Sequence, residues 1–265
     1  MLEFHTIHIH AFKEDRKIGV YVPANNRSTL TKYPVLYMHD GQNVFNDSEA
    51  IGGVSLGLEK YLNDKKLDVI AVAIDQNNKE RLNEYCPWVA GAYCEDVLGQ
   101  PSTTRGKGKQ YVDFIVNELI PFIDSKYRTL KNSNAIAGAS LGALISTYAA
   151  CVYPEVFKHV AGISCAFYRN QEEIEKLLME SNLSHIKSFY MDCGDKEARN
   201  DHVVSEKFLK SNERVFEIIK NKIPYSQFKL MKNAENHYKY FIDRVPNLFT
   251  FLNQDTNSSK GGQND

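Results

Sequence analysis

Two periodicities divide the chain. From Phe4 to Phe12 polar and apolar residues alternate (His5, Thr6, Ile7, His8, Ile9, His10), and Lys17 to Val22 alternates again. A strand with one buried face needs that period of two, so an opening hairpin is predicted with its turn at Lys13-Glu14-Asp15. After Val22-Pro23 the pattern changes to short continuous apolar runs: Pro34 to Met38, Val69 to Ile74, Ala135 to Ala137, Val160 to Ile163, Ser188 to Met191 and Phe228 to Met231. Such runs suit strands covered on both faces. Helical stretches fall between them. In Gln110 to Tyr127 the residues Val112, Ile115, Val116, Leu119, Ile120 and Ile123 share one face, with Pro121 expected to kink the helix. Val203 to Lys220 repeats the pattern with Phe208, Leu209, Val215, Phe216 and Ile219. Strands alternating with helices predict an α/β fold: a mostly parallel, doubly wound sheet with an antiparallel N-terminal hairpin and helices on both faces.

Composition narrows the class. A length of 265 residues suits one large domain, placed at 1–252, with the polar Asn253 to Asp265 as a frayed tail. Lys and Arg number 32 against 33 Asp and Glu, a net charge of -1, so neither nucleic acid nor an anionic membrane is expected as a partner. The five cysteines form no C-x-x-C pair, which argues against a disulfide framework and a zinc site. His5, His8 and His10 do not share one strand face and no acidic cluster joins them, so no metal is expected there. Met1-Leu2-Glu3-Phe4-His5 carries no basic segment before an apolar one, and no apolar run is long enough to span a membrane, so a soluble cytoplasmic protein is expected. Asn77 to Lys109 has little periodicity, and a loop of that length inside a compact fold is usually functional or mobile.

Chemistry enters with Gly138-Ala139-Ser140-Leu141-Gly142, which follows the Ala135-Ile136-Ala137 run and opens the apolar helical segment Leu141 to Ala150. A G-x-S-x-G between strand and helix is a nucleophile elbow, a tight turn that lifts a serine hydroxyl clear of the sheet. Gly53-Val54-Ser55-Leu56-Gly57 matches the same pattern but lacks an apolar strand before it. It also lacks room upstream for the βαβ crossover of about 30 residues that a central elbow needs. Ser55 therefore reads as the lead-in to a helix through Leu58, Tyr61 and Leu62. Gly162-Ile163-Ser164-Cys165-Ala166 lacks the second glycine. Ser140 is the candidate nucleophile.

A serine hydroxyl needs a base, and the base needs an acid to fix its tautomer; in this architecture acid and then histidine follow the serine. Of His159, His185, His202 and His237, only His237 follows the last strand in a loop, Lys232 to Asn236. Asp192, Asp195 and Glu197 compete as the acid after Ser188 to Met191. A side chain reaching the histidine loop should come from beyond the break at Gly194, which favours Glu197, then Asp195, then Asp192. An oxyanion hole should combine the Leu141 N–H, at a helix N-terminus, with an N–H from His39-Asp40-Gly41-Gln42-Asn43-Val44-Phe45, where Gln42 is the candidate and His39 and Asp40 read as braces. Arg81, Tyr85, Trp88 and Phe167 lie in loops expected at the carboxyl edge of the sheet and are candidate pocket residues.

With these residues placed, the chain resembles the putative esterase family of α/β-hydrolases, which includes enterochelin esterases, esterase D relatives, feruloyl esterase modules and mycolyl transferases. The resemblance spans about Arg16 to Leu252. It rests on Tyr37-Met38-His39-Asp40-Gly41-Gln42-Asn43-Val44-Phe45, Arg81-Leu82-Asn83-Glu84-Tyr85-Cys86-Pro87-Trp88, Gly106-Lys107-Gly108, Asn117-Glu118-Leu119-Ile120-Pro121-Phe122-Ile123, the Ser140 elbow and Tyr153-Pro154-Glu155-Val156-Phe157. These pieces are similar to a bacterial branch near the siderophore trilactone esterases. The resemblance implies the α/β-hydrolase fold, an acid three residues after the glycine that ends the seventh strand (Gly194 to Glu197), and His237 as the base. One departure is the elbow exit Gly142-Ala143, where many relatives have two glycines.

The expectation is a serine esterase that cleaves a small-molecule carboxylic ester through an acyl-enzyme, with no metal or organic cofactor. A siderophore trilactone hydrolase is the alternative within the same chemistry, and a catalytically silent binding protein on the same scaffold is the alternative of another class. Sequence leaves open whether the chain forms a homo-oligomer.

Overall fold

The alternating segments at the start of the chain form a hairpin. β1 (Leu2–Ile9) pairs antiparallel with β2 (Glu14–Tyr21), from Leu2 opposite Tyr21 to Ile9 opposite Glu14. Its turn closes earlier than the charged tripeptide suggests, with Lys13 in the left-handed region at φ 53°. The computed structural model describes residues 1–23 and 30–252, so the polar tail at 253–265 lies outside the described residues.

The apolar runs become β3 (Tyr33–Met38), β4 (Ile70–Ile74), β5 (Thr129–Ala139), β6 (Phe157–Ile163), β7 (Ser188–Gly194) and β8 (Tyr225–Met231). They join the hairpin in one eight-stranded sheet of order β1-β2-β4-β3-β5-β6-β7-β8. β2 meets β4 antiparallel, and every later pairing is parallel. This is the architecture of an α/β-hydrolase.

Ten α-helices among the described residues complete the fold: α1 (Leu58–Lys65), α2 (Arg81–Glu84), α3 (Ala92–Leu98), α4 (Gly108–Phe114), α5 (Ile120–Lys126), α6 (Leu141–Val152), α7 (Gln171–Glu180), α8 (His202–Lys220), α9 (Tyr238–Phe241) and α10 (Val245–Leu252). Strand side chains alternate between two apolar layers. Val35, Tyr37, Val72 and Ile136 face a cluster with Tyr111, Leu144, Ile174 and Val215 from α4, α6, α7 and α8. Leu36, Met38, Ala71, Ala73, Ala135 and Ala137 face Leu58 and Leu62 of α1 and Val245, Leu248 and Phe249 of α10. The expected kink at Pro121 takes the form of a π-helical turn over Ile115–Leu119 between α4 and α5. Proline has no N–H for the usual i−4 carbonyl, and the wider turn absorbs that loss.

The chain leaves β3 towards β4 and leaves β5 towards β6, so loops diverge from the carboxyl ends of the adjacent strands β3 and β5. A crevice opens at such a switch point, and here it separates His39-Asp40-Gly41-Gln42 from Ser140. The segment from 77 to 109, which carries α2 and α3, follows β4. The buried Arg16 of β2 pins it through two 3.0 Å bonds to the carboxylate of buried Glu84. Among the described residues no helix is long and apolar enough to cross a membrane.

Candidate active site

Ser140 sits where β5 becomes α6, at φ 57° and ψ -115°. A non-glycine residue holds such a conformation only when its surroundings enforce it. The Ser140 N–H donates to Ile163 O (2.8 Å), and its carbonyl accepts from the N–H groups of Ala143 and Ala166 (3.1 Å each). The glycines supply the clearance. A Cβ on Gly138 would lie 2.6 Å from the carbonyl carbon of Gly142, and one on Gly142 would lie 3.3 Å from His39 Cβ. Strand and helix thus crowd the turn at Ser140, whereas Ser55 is fully buried and its hydroxyl donates to Asp47 Oδ1 (2.8 Å).

Ser140 opens into a cavity of about 310 Å³ that Asp40, Arg81, Asn236, His237 and Tyr238 also line, with Ile51 and Phe241 as apolar wall. Asp40 occupies the left-handed region (φ 57°) and is buried. Its carboxylate accepts from Arg81 Nε (2.6 Å) and Nη2 (2.7 Å), and its N–H donates to the Tyr85 hydroxyl (3.0 Å). Arg81 is held more firmly protonated by Asp40, against the cost of its own burial. His39 lies beneath the loop. Ser146 Oγ spends its proton on Gly142 O (2.7 Å), so His39 Nε2–H donates to Ser146 (3.1 Å) and Nδ1 accepts from Tyr111 (2.9 Å). Burial pushes the His39 pKa down to about 3, leaving a neutral ring whose nitrogens are both occupied. His39 and Asp40 act as the braces their position suggested.

The Gln42 side chain is clamped to the Gln76 backbone by two 2.9 Å bonds. Neither the Gln42 N–H nor the Leu141 N–H donates to another described residue. Each is next in sequence to a residue that lines the cavity, Gln42 to Asn43 and Leu141 to Ser140, and Leu141 opens α6.

The acid and histidine loops are joined to each other. Lys196 N–H donates to Ala234 O (3.1 Å) and Asn236 N–H to Glu197 O (3.4 Å). Gly194 allows this approach, since a Cβ there would lie 2.1 Å from Ala234 O. Glu197 is buried; its Oε1 accepts from Ser164 Oγ (2.6 Å) and Gly194 N–H, while Oε2 has no partner among the described residues. Burial raises the Glu197 pKa, and the Ser164 and Gly194 bonds oppose that rise. Asp195 Oδ1 is likewise buried and unmatched. Asp192 is fully buried and paired with Arg244 (2.8 Å), which also donates to Ser164 Oγ (2.8 Å). His237 is exposed and caps α9, its Nδ1 accepting from Lys239 N–H (3.1 Å). The residue on Ser140 Oγ is Asn236, through Nδ2 at 3.4 Å.

Of the four residues expected in the pocket, only Arg81 lines this cavity. Tyr85 is a correction: it is fully buried, holds the Asp40 N–H and packs its ring 5.3 Å from His39. Phe167 is also fully buried, within the larger apolar cluster, and Trp88 is half-buried with its ring set edge-on to Tyr148 at 5.2 Å. Loop position predicted the right edge of the sheet but not which way each ring turns. Sequence reasoning missed Asn236, although it adjoins His237, and the use of Asp40 as the anchor of Arg81.

The family described as "Putative esterase" matches residues 9–251. An uncharacterized protein of Bacillus subtilis (strain 168), YbbA, is 26% identical over 245 residues, covering 90% of this chain and 92% of its own. An IroE-like serine hydrolase from Shewanella oneidensis superposes with a TM-score of 0.72 at 17% identity, over 95% of this chain and 79% of that one. An enterobactin esterase from Shigella flexneri, crystallised in the presence of enterobactin, gives 0.72 at 13% identity, over 97% of this chain and 59% of that one. The chain belongs to the putative esterase family of α/β-hydrolases and is a carboxylic ester hydrolase.

Proposed function

We propose that this esterase works through an acyl-enzyme, with Ser140 as nucleophile, His237 as base and then acid, and Glu197 as the carboxylate that orients His237. The Ser140 backbone carries this reading. Holding a non-glycine residue at φ 57° and ψ -115° costs of order 1–3 kcal/mol, and here it presents a hydroxyl at the carboxyl end of β5 in a cavity shared with His237. Ser140 Oγ attacks the ester carbonyl as its proton passes to His237 Nε2. Negative charge on the carbonyl oxygen is met by the Leu141 and Gln42 N–H groups, whose lack of other acceptors supports this role. The C–O bond breaks as His237 returns the proton to the departing alkoxide. Water then adds to the acyl-enzyme by the same steps, releasing the acid and restoring Ser140. The scheme uses no metal or organic cofactor.

The permanent charges of the lining are Asp40 and Arg81, and their ion pair cancels them. A 310 Å³ cavity with that balance supports a small uncharged ester over a polyanionic iron-loaded catecholate. The similarity to an enterobactin esterase makes a catecholate trilactone one arm of the substrate panel, beside short acyl and feruloyl esters.

Fluorophosphonate labelling tests the nucleophile: wild type should label once, at Ser140, and Ser140→Ala should not. Unlabelled wild type, or equal labelling of the variant, would remove the reading and favour the silent binding scaffold. For the acid, Glu197→Gln should lower kcat by about 10²- to 10⁴-fold while Asp195→Asn stays near wild type. The reverse ranking would assign the acid to Asp195.

A further inference from the structure

The cap that His237 makes fixes where its proton sits. Because Lys239 N–H donates to Nδ1 (3.1 Å), a neutral His237 ring carries its proton on Nε2. A general base for Ser140 needs the opposite tautomer, with Nδ1–H given to a carboxylate and the Nε2 lone pair turned to the serine. Glu197 Oε2 is buried and unmatched, and Ser140 Oγ is met by Asn236 Nδ2 at 3.4 Å.

We infer that the His237 cap on α9 is a latch: the free enzyme rests with His237 capping and Asn236 on the nucleophile, and becomes competent when His237 leaves Lys239 N–H for Glu197 Oε2 and Ser140 Oγ. This rests on the triad reading above. Cap and triad exclude each other because both use Nδ1, one as acceptor and the other as donor. On release the ring gives up its Nε2 proton to water and takes one from water at Nδ1, with no net change. Once Ser140 passes its own proton to Nε2 the ring is an imidazolium with no lone pair on Nδ1. It cannot return to the cap until it protonates the leaving alkoxide. The latch therefore opposes the states with a neutral ring, the resting enzyme and the acyl-enzyme, and leaves the tetrahedral intermediates untouched. Opening it spares the helix, because the first backbone bonds of α9 run from Tyr240 and Phe241 N–H to His237 O (2.9 and 3.2 Å) and do not use Lys239 N–H.

Lys239→Pro removes that donor at a first-turn position where proline is tolerated. The variant should raise kcat/KM for a p-nitrophenyl ester by about fivefold, the factor by which a cap-sized preference withholds the competent state. Nitrogen-15 spectra of histidine-labelled protein, with His237 assigned through His237→Gln, give an independent readout. Free wild type should show Nδ1 unprotonated and Nε2 protonated, and a Ser140 phosphonate adduct should show Nδ1 protonated. A free enzyme already protonated at Nδ1 overturns the latch, as does unchanged or lower kcat/KM in a folded Lys239→Pro. If that variant does not fold, the wild-type spectrum still decides. Absence of any Ser140 adduct would overturn triad and latch together, whereas an adduct with Nδ1–H in the free enzyme removes the latch alone.

Discussion

Ser164 shows how much one side chain can carry without being the nucleophile its neighbouring glycine suggests. It stands at φ 48°, donates to Glu197 Oε1 (2.6 Å) and accepts from Arg244 Nη1 (2.8 Å). Its hydroxyl therefore ties the proposed acid to the buried Asp192–Arg244 pair. Donation to the charged carboxylate favours the ionised form, which offsets part of the upward push that burial gives Glu197. Ser164→Ala removes that support and raises the Glu197 pKa further. The acidic limb of the kcat/KM profile should then move to higher pH, with a plateau loss of about tenfold. A pH–rate profile of the variant checks this; an unmoved limb would mean that Glu197 does not govern it. Sequence marked Ser164 only as a defective elbow, since partners 33 and 80 residues further along the chain leave no trace in local spacing.

Between elements, the carboxyl ends of β3 and β4 hold two groups that titrate in opposite senses. Burial pushes His39 down to about 3, and burial, against the pull of Lys17, pushes Asp75 up to about 6. The folded state prefers neutral His39, so that contribution is complete above the ordinary value of 6.5 and is lost as pH falls towards 3. The folded state prefers protonated Asp75, so that contribution is complete below 3.8 and is lost as pH rises through 6. Between about pH 4 and 6 the two slopes oppose each other. Asp75→Asn removes one of them. Discounted for the half-exposure of Asp75, the variant should gain about 1 kcal/mol over wild type at pH 7.5 and nothing at pH 4. Urea melts at both pH values decide it, and an equal gain at both would clear Asp75 of the effect. The strands whose ends carry these groups were legible as apolar runs because a buried parallel strand leaves a continuous signal. α7 left a weaker one, and the π-helical turn before Pro121 left only the proline itself. The places of Ser140, Glu197 and His237, to which the proposed roles attach, were legible for a related reason, since each follows a readable strand. The Asp40–Arg81 lock, the burial of Tyr85 and the place of Asn236 were not, because they arise where separate loops meet.

The described residues form one sheet with an apolar layer on each face, and the five free cysteines report on whether it opens as one body. Cys86, Cys94, Cys151, Cys165 and Cys193 are all buried, and burial pushes the Cys86 and Cys151 thiols up to about 12. The thiolate is the reactive form, so a disulfide reagent at pH 8 reaches these groups only when the structure opens. Cys86 and Cys94 belong to the segment from 77 to 109, and the other three lie under or beside α6, β6 and β7. If that segment opened alone, two thiols would react ahead of three. It is held instead by the buried Arg16–Glu84 pair and by bonds from the Tyr93 hydroxyl to Lys207 O (2.7 Å) and from Asn170 Nδ2 to Trp88 O (3.1 Å). Breaking a buried ion pair that leaves one charge unmatched costs about 3–5 kcal/mol, a large part of the stability of an ordinary domain. Partial labelling in dilute denaturant should therefore give chains carrying either no adducts or five, read by intact mass. A population with two adducts, mapped to Cys86 and Cys94, would show that the segment is a separate unit of stability. Arg16→Met with Glu84 retained supplies the contrast, since it should create that two-adduct population by removing the pin while both apolar layers stay closed.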